Sequence, residues 1–357
     1  VVLHNGGAQR GHTVCLPDGT RHVFHHFSSG TFAGAFTYFA PTFVLNPMLL
    51  MDEVKDFPAQ TRAMFADPKC MVSTPYDMMF NQIVEEERGE EKHGSCGCGI
   101  FETISRYKHP KFSLPYLDML QLQRGGDFTG FLENIRDNYY GKRLPRGVPE
   151  KWRDIWSSKT LIQNYIADFY AMQRHVSPYT NKLKALLSFF DMLVFEGGQG
   201  LLLDQNNQDY FPHLTPSNTG LKNPARIIRN LYQTMEREVE VCYVTRSYIT
   251  RHGAGRLDNE CAASDLSPMV EDKTNAPNIH QGVLRYTKLD VNSLTNRIKK
   301  DFALFNKSDW KLSLAVTHLD QLALAEPLPA NLFDKFYFVN GETRGNVLEQ
   351  QGDTQNA

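Results

Sequence analysis

The chain begins with VVLHNGGAQRGHT (residues 1–13), in which a strand-like apolar segment runs directly into glycines. A second stretch of the same kind, VFEGGQGLLLD, spans residues 194–204. Glycines let backbone N–H groups approach a phosphate closely and tolerate unusual dihedral angles. In open parallel sheets, ligands bind beyond the carboxyl ends of the strands. The two stretches therefore predict an α/β fold with phosphate-binding loops at one edge of its sheet.

Outside these stretches, the apolar periodicity alternates between helix and strand. That order is typical of an α/β fold with a large, mainly parallel β-sheet flanked by helices. We expect a single domain over residues 1–347 and a disordered tail over 348–357. The predicted helices are 48–66, 77–92, most of 112–190, 221–238 and 291–306, and the predicted strands are 194–195, 241–249, 312–316 and 337–339.

Composition and charge narrow the class of protein. The chain has 357 residues, of which 41% are hydrophobic and 22% charged, which is enough for a substantial core. The formal net charge of −2 provides no basic field for nucleic acid. No apolar run approaches the roughly 18–20 residues that a membrane span needs. The six cysteines show no framework spacing, so we expect reduced thiols and a cytoplasmic protein without a membrane or nucleic-acid partner.

Each glycine loop also has a purely structural interpretation. A strand followed by Gly6-Gly7 is equally typical of a tight turn, although His12 could protonate or hydrogen-bond a phosphate oxygen. The loop is not a Walker loop, because no Gly-Lys-Ser/Thr follows it. Residues 196–220 could be a surface Ω-loop. Gln199, Thr215 and Ser217 nevertheless supply more amides and hydroxyls than such a loop needs, which favours nucleotide recognition.

These motifs resemble the adenylosuccinate synthetase family, and the matches are colinear over nearly the whole chain. The family's GGNNAGHT loop resembles residues 6–13, and its FEGAQGxLLD…PxxTSSNT segment is very similar to residues 195–219. Further family segments match as well: SGI and a Pro-containing segment before a helix resemble residues 29–31 and 45–47, and GTTGRGIG, RxGAGP, TKLD and STGPDR resemble residues 94–100, 251–255, 317–320 and 340–344. The resemblance implies a P-loop NTPase-like adenylosuccinate synthetase fold.

The resemblance also implies an activity. The family joins L-aspartate to C6 of IMP, using GTP and Mg²⁺ and a 6-phosphoryl intermediate, and acts as a homodimer. His12 would be the general acid, and the Gly11 carbonyl would help to hold Mg²⁺. Arg285 would bind aspartate. Gln9, Ser95, Cys96, Gln199 and Thr215 would line the IMP site, and Thr13, Asp320 and Gly341 would bind GTP.

Four departures from the family pattern bear on these expectations. The GDEGKGK loop, with its general-base Asp and phosphate Lys, has no counterpart, so we expect that an N-terminal segment is missing and that the chain as given is inactive. Ala8-Gln9-Arg10 replaces Asn-Asn-Ala and puts a bulky cation beside His12. The family's arginine cluster is reduced to Arg285, with Lys288 nearby. His318 replaces the Lys of TKLD, which leaves ATP open as the donor.

Two other functions stay open at this point. One is a paralogue that acts on dGMP and forms a 2-aminoadenylosuccinate nucleotide. The other is a degenerate homologue that binds nucleotides without catalysis. If the protein is a dimer that lends a cation to its partner, Arg106, Lys108 and Lys111 are the candidates.

Two clusters raise the question of a bound metal. Residues 12, 22, 25 and 26 are histidines, but they lack regular ligand spacing. Cys96-Gly-Cys98 lacks a second pair at zinc-like spacing, so we interpret it as small loop residues in place of the family's Thr and Arg.

Overall fold

The computed structural model describes residues 1–57, 64–179, 189–231, 238–275, 280–305 and 309–353. Contacts group the chain into two compact units. Unit 1 comprises Val1–His12 and Phe24–Thr219, and unit 2 comprises Thr13–Val23 and Gly220–Ala357. That these units act as one domain stays a prediction.

Unit 1 is built on a parallel sheet of five strands. Their order across the sheet is β8-β6-β4-β1-β9. Val2 pairs with Tyr38 on one side and with Phe195 on the other, and Val2 and Leu3 are fully buried. Continuous apolar strands are what a parallel sheet covered on both faces requires. The strands are β1 (Val2–Leu3), β4 (Thr37–Phe39), β6 (Met64–Ala66), β8 (Val176–Pro178) and β9 (Phe195–Glu196), with β5 (Val44–Leu45) pairing separately with β7 (Met71–Val72).

Seven described α-helices belong to unit 1, and several have clear start signals. Asn46 caps the first by accepting a hydrogen bond from the Leu49 N–H at 3.2 Å, and Pro47 occupies its first position. Thr74 and Asp77 form a capping box on the second. The helices are α1 (Pro47–Asp56), α2 (Pro75–Arg88), α3 (Ile100–Tyr107), α4 (Tyr116–Gly125), α5 (Phe128–Asn134), α6 (Glu150–Trp156) and α7 (Lys159–Met172), and a π-helical turn follows α5 at Ile135–Tyr140.

Unit 2 contains a four-stranded sheet in the order β10-β13-β14-β15. The first three strands are parallel, and β15 runs antiparallel to β14. Two antiparallel pairs, β2 with β3 and β11 with β12, complete its described strands. The strands are β2 (His12–Cys15), β3 (Arg21–Phe24), β10 (Glu240–Arg246), β11 (Tyr248–Arg251), β12 (Arg285–Lys288), β13 (Lys311–Thr317), β14 (Lys335–Val339) and β15 (Val347–Gln351), and the helices are α8 (Lys222–Leu231), α9 (Ala263–Leu266) and α10 (Val291–Phe305).

Three expectations need correction. The helix predicted over 48–66 ends at Asp56, and Met64–Ala66 is strand β6. The helical region predicted from 112 contains strand β8 at Val176–Pro178, and its part at 180–188 lies outside the described residues. The tail predicted to be disordered from 348 forms most of β15 through Gln351, because its backbone pairs with β14. No described helix is both long enough and apolar enough to cross a membrane.

Candidate active site

The two glycine loops meet where β1 and β9 end side by side. Because Leu3 pairs with Glu196, the residues that follow these strands emerge next to each other. The Gly198 N–H donates to Asn5 Oδ1 at 2.9 Å, and Asn5 Nδ2 lies 3.4 Å from Gln199 Oε1. Gly6 has φ +75°, and a Cβ there would lie 3.1 Å from Gln199 Nε2. Glycine therefore lets the first loop lie directly against Gln199.

Glu196 joins Arg10 and His12. The His12 Nδ1 lies 2.9 Å from Glu196 Oε1, and the Arg10 guanidinium forms an ion pair with the same oxygen. Arg10 is fully buried, whereas the His12 side chain is 25% exposed. The bulky cation expected beside His12 therefore faces the protein interior. The His12 ring is anchored through one nitrogen, and its other nitrogen can serve a ligand.

The carboxylate of Glu196 is held ionised. Burial would raise its pKa, but the hydrogen bond and charge of His12, the charge of Arg10 and the Ser29 hydroxyl outweigh burial and lower the pKa of Glu196 to about 2. Ser29 Oγ donates to Glu196 Oε2 at 2.8 Å. The sequence interpretation missed Glu196, although a carboxylate directly after an apolar strand was the signal that could have found it.

Side chains of α2 hold the loop that carries Ser95 and Cys96. Glu85 accepts hydrogen bonds from the backbone N–H groups of Gly94 at 2.8 Å and Ser95 at 3.2 Å. Asn81 Nδ2 lies 3.0 Å from the Ser95 hydroxyl oxygen. A hydrogen bond from the Cys98 thiol lowers the pKa of Cys96 despite burial. The loop is thus fixed from the helix side.

The loop at 212–219, which carries Thr215, approaches this segment through aromatic rings. The imidazoles of His93 and His213 pack edge to face with centroids 5.2 Å apart. Thr215 N–H donates to the Leu203 carbonyl at 2.9 Å, and its hydroxyl lies 3.5 Å from that of Ser217. Unit 1 thereby links the loops of three predicted site residues, Ser95, Cys96 and Thr215.

The side-chain amide of Gln9, in the first glycine loop, lacks a partner for its oxygen within the part of the chain that the structure describes. Its Oε1 is buried and has no hydrogen-bond partner among the described residues. A buried amide oxygen without a partner is costly, and such groups often await a ligand. Gly11, two residues further along the same loop, is exposed.

In unit 2, the residues predicted to bind the triphosphate border one segment, 271–275. The Thr13 hydroxyl lies 3.5 Å from that of Thr274. Glu342, which follows Gly341, forms an ion pair with Lys273 at 3.0 Å. Next to the exposed Asp320, Gln321 Nε2 donates to the Glu271 carbonyl at 3.0 Å.

Comparison with known proteins identifies the family. The sequence profile described as adenylosuccinate synthetase matches residues 1–324. The chain belongs to the adenylosuccinate synthetase family. These enzymes are carbon–nitrogen ligases of purine biosynthesis.

Individual relatives are distant. The adenylosuccinate synthetase of Malacoplasma penetrans is 24% identical over 360 residues, covering 92% of this chain and 80% of that protein. The enzyme of Chlorobium limicola is 27% identical over 277 residues, covering 73% of this chain, and the chain spans only 58% of that relative's length.

Solved structures confirm the predicted adenylosuccinate synthetase fold. The fully ligated adenylosuccinate synthetase of Plasmodium falciparum superposes with a TM-score of 0.68 at 17% identity, covering 98% of this chain and 76% of that one. The succinoaminodeoxyadenylate synthetase of cyanophage S-2L gives a TM-score of 0.54 at 16% identity, covering 97% and 86%.

Arg285, the predicted aspartate-binding residue of this adenylosuccinate synthetase family member, already has partners. Its Nε donates to Glu260 at 2.8 Å, and a second guanidinium nitrogen, Nη2, also binds that carboxylate. Nη1 donates to the carbonyls of Gly253 and Gly255 at 3.1 and 2.8 Å. A substrate carboxylate would have to displace Glu260, so the role of Arg285 stays a prediction.

Arg106 is not available to bind a ligand in a partner subunit. It is buried, and its Nε and Nη2 each donate to Asp77 at 2.8 Å. Breaking such a buried pair would leave an uncompensated charge on Asp77. Lys108 and Lys111 are exposed and remain candidates for the cation that one subunit contributes to the other.

The residues present do not by themselves form a Mg²⁺ site. The described ranges contain no group of three or more His, Cys, Asp or Glu side chains able to hold a metal. Mg²⁺ is usually held by one or two carboxylates together with substrate phosphates. The Gly11 carbonyl is a weaker ligand than a carboxylate, so its predicted role needs ligands from elsewhere.

Proposed function

We propose that this protein joins L-aspartate to C6 of IMP, with GTP as phosphate donor, and releases adenylosuccinate. The observation that supports the proposal best is the contact between His12 and Glu196 at the place where the two glycine loops meet. The chain also belongs to the adenylosuccinate synthetase family. The donor would bring Mg²⁺ with its phosphates. We further propose that the protein works in the cytoplasm as a homodimer.

The chemistry needs an acid at this position. The purine O6 leaves poorly, so it must first become a phosphate ester, and negative charge develops around the transferred phosphoryl group. His12, with Nδ1 held by Glu196, can present its other nitrogen to that charge. Gln9 and Gln199, together with Ser95, Cys96 and Thr215, would bind the nucleotide through amide, hydroxyl and thiol groups.

A direct assay tests the proposal. Protein expressed from its complete reading frame is supplied with IMP, aspartate, Mg²⁺ and GTP, and the succinylated nucleotide is measured by mass spectrometry. We expect turnover that His12→Asn removes. Absence of product with every combination of IMP or dGMP and GTP or ATP would refute the ligase proposal and leave a nucleotide-binding homologue.

A second substrate is favoured by one comparison. The cyanophage enzyme that shares the fold is described as bound to dGMP and dATP, the latter as an energy donor. This chain also departs from the family at Ala8-Gln9-Arg10 and at His318. A higher kcat/KM for dGMP than for IMP, or for ATP than for GTP, in the same assay would select this alternative.

Sedimentation tests the homodimer. We expect the active protein to sediment as a dimer, with Lys108 or Lys111 supplying the shared cation. Full activity in a monomer would contradict this.

A further inference from the structure

Arg10 occupies the closed interior between the two loops. It is 0% exposed, its Nη1 donates to the His25 carbonyl at 2.8 Å, and its Nη2 binds Glu196. His25 Nδ1 in turn contacts the Arg10 carbonyl. Both the backbone and the side chain of Arg10 are therefore fixed by the fold.

Gly198 makes room for this side chain. A Cβ at position 198 would lie 2.7 Å from Arg10 Cγ and 3.1 Å from Arg10 Cδ. The backbone of Gly198 is not in the left-handed region, so alanine would meet no conformational penalty there. The obstacle to a side chain at position 198 is the Arg10 stem.

The family motifs differ from this chain at both of these positions. GGNNAGHT has alanine where Arg10 stands, and FEGAQG has alanine where Gly198 stands. Relative to these motifs, this chain has a larger side chain at position 10 and no methyl group at position 198, which lies in contact with it. A methyl group at position 198 would overlap the Arg10 stem, and a close-packed interior does not accommodate such an overlap without strain.

The guanidinium also fixes the carboxylate that anchors His12. Glu196 Oε2 accepts from Ser29, through its N–H at 3.2 Å and its hydroxyl at 2.8 Å. Glu196 Oε1 faces both Arg10 and His12. Without Arg10, the oxygen that holds the imidazole would lose its cationic partner.

We propose that Arg10 is a positioning residue that holds Glu196 against His12, and that Arg10 and Gly198 form one coupled unit replacing the family's pair of alanines. This inference rests on the proposed function only in taking His12 as the acid. Arg10 acts through Glu196.

A double-mutant cycle tests the coupling without any substrate. Arg10→Ala, Gly198→Ala and the double variant are compared by thermal unfolding. Each single change should lower the Tm by on the order of 5 °C, because one leaves a buried carboxylate without its cation and the other creates a clash. The double variant should lose less than the sum. Gly200→Ala, whose Cβ would meet nothing within 4 Å, is the matched control and should leave the Tm unchanged.

The orientation of His12 gives a second readout. The ring ¹⁵N signals of His12, assigned with His12→Asn, should move in Arg10→Ala and return toward the original positions in Arg10→Lys, which keeps a cation. They should stay unchanged in Gly200→Ala. In the assay, Arg10→Ala should lower kcat about tenfold or more, while the KM for the nucleotide changes less than threefold.

Two outcomes would overturn the proposal. One is additive losses of Tm across the cycle, and the other is His12 signals that stay unchanged in Arg10→Ala. If Arg10→Ala does not fold, Arg10→Gln, which removes the positive charge and the guanidinium end of the side chain, replaces it in both experiments, and unchanged His12 signals in Arg10→Gln would overturn the proposal. A protein that shows the coupling but no turnover with any substrate pair would refute the proposed function and leave the Arg10–Gly198 coupling intact.

Discussion

The loops after β1 and β9 in unit 1 contrast with the β11–β12 region of unit 2. In the first, Arg10 supports another side chain, since its carboxylate partner Glu196 also binds the partly exposed His12. In the second, Arg285 is bound by Glu260 and by two loop carbonyls. An arginine near a predicted site can therefore hold another side chain in position or bind only to the surrounding fold, and its partners show which.

The largest expected effect is at His12. His12→Asn should lower kcat by about 10²- to 10⁴-fold, because the proposed general acid is lost while the amide keeps a hydrogen bond to Glu196. Steady-state kinetics measure the change in kcat. The control is His109→Asn, which lies just after the end of α3 and should keep its activity. Unchanged turnover in His12→Asn would show that His12 is not the general acid, and the loops after β1 and β9 would then differ from the β11–β12 region only in structure.

Glu196→Gln should be the next most damaging change. It leaves the Arg10 guanidinium buried without a carboxylate, at a cost of about 3–5 kcal/mol in the free energy of unfolding. Urea unfolding measures this cost. The control is Glu238→Gln, since Glu238 pairs with Lys311 at the solvent-exposed surface and its loss should destabilise the fold far less. Equal losses in both variants would contradict the assignment of Glu196 as the centre of the network.

Stability should depend on pH through the same carboxylate. The pKa of Glu196 falls from its usual 4.5 to about 2 on folding. Its contribution, about 3 kcal/mol, is then fully present above pH 4.5 and is lost as the pH falls toward 2. Unfolding free energies from pH 6 to 3 should show this loss in the native protein and a shallower one in Glu196→Gln. Identical slopes would show that other carboxylates dominate acid unfolding.

In unit 2, Arg285→Lys sharpens the contrast. If aspartate displaces Glu260 from Arg285, losing the bidentate geometry should raise the KM for aspartate about tenfold with little change in kcat. Arg256→Lys is the control, because Arg256 is exposed and pairs with Asp258. A lower Tm with an unchanged KM for aspartate would make Arg285 a structural residue.

The smallest expected effect is at His318. His318→Lys restores the family's TKLD sequence and should raise the preference for GTP over ATP several-fold, which corresponds to about 1 kcal/mol. Measuring kcat/KM for both donors checks this. Thr317→Val, which removes the hydroxyl 2.8 Å from His318 Nδ1, tests whether the ring orientation matters. An unchanged donor ratio in His318→Lys would separate this position from base recognition.

The sequence predicted the long and periodic elements and missed the short ones. Strand β13 and helix α10 lie within one residue of the predictions, because each carries an unbroken pattern. Strand β8 has three residues, Val176–Pro178, inside a mostly helical region, and only its pairing with β6 makes it a strand. β15 is exposed along its whole length and has no apolar pattern to read.

The same limit applies to the candidate site. Motif residues such as His12 and Gln199 could be singled out from the sequence, and the structure brings their loops together after β1 and β9, while their roles stay predictions. Glu196 and the buried orientation of Arg10 could not, because both depend on contacts more than 160 positions apart in the chain. The burial of Arg106 could not be predicted for a related reason, since its partner Asp77 lies 29 residues away.

The segment at 93–95 is held in place by a residue outside it, Glu85. Its backbone is fastened by a carboxylate on α2, and Glu85 is 7% exposed. The backbone conformation at 94–95 is therefore fixed in part from outside the loop, by a side chain of α2. Cys96 and Cys98 could replace the family's threonine and arginine while the path of the chain was kept. New substrate preferences could be selected there without rebuilding the scaffold.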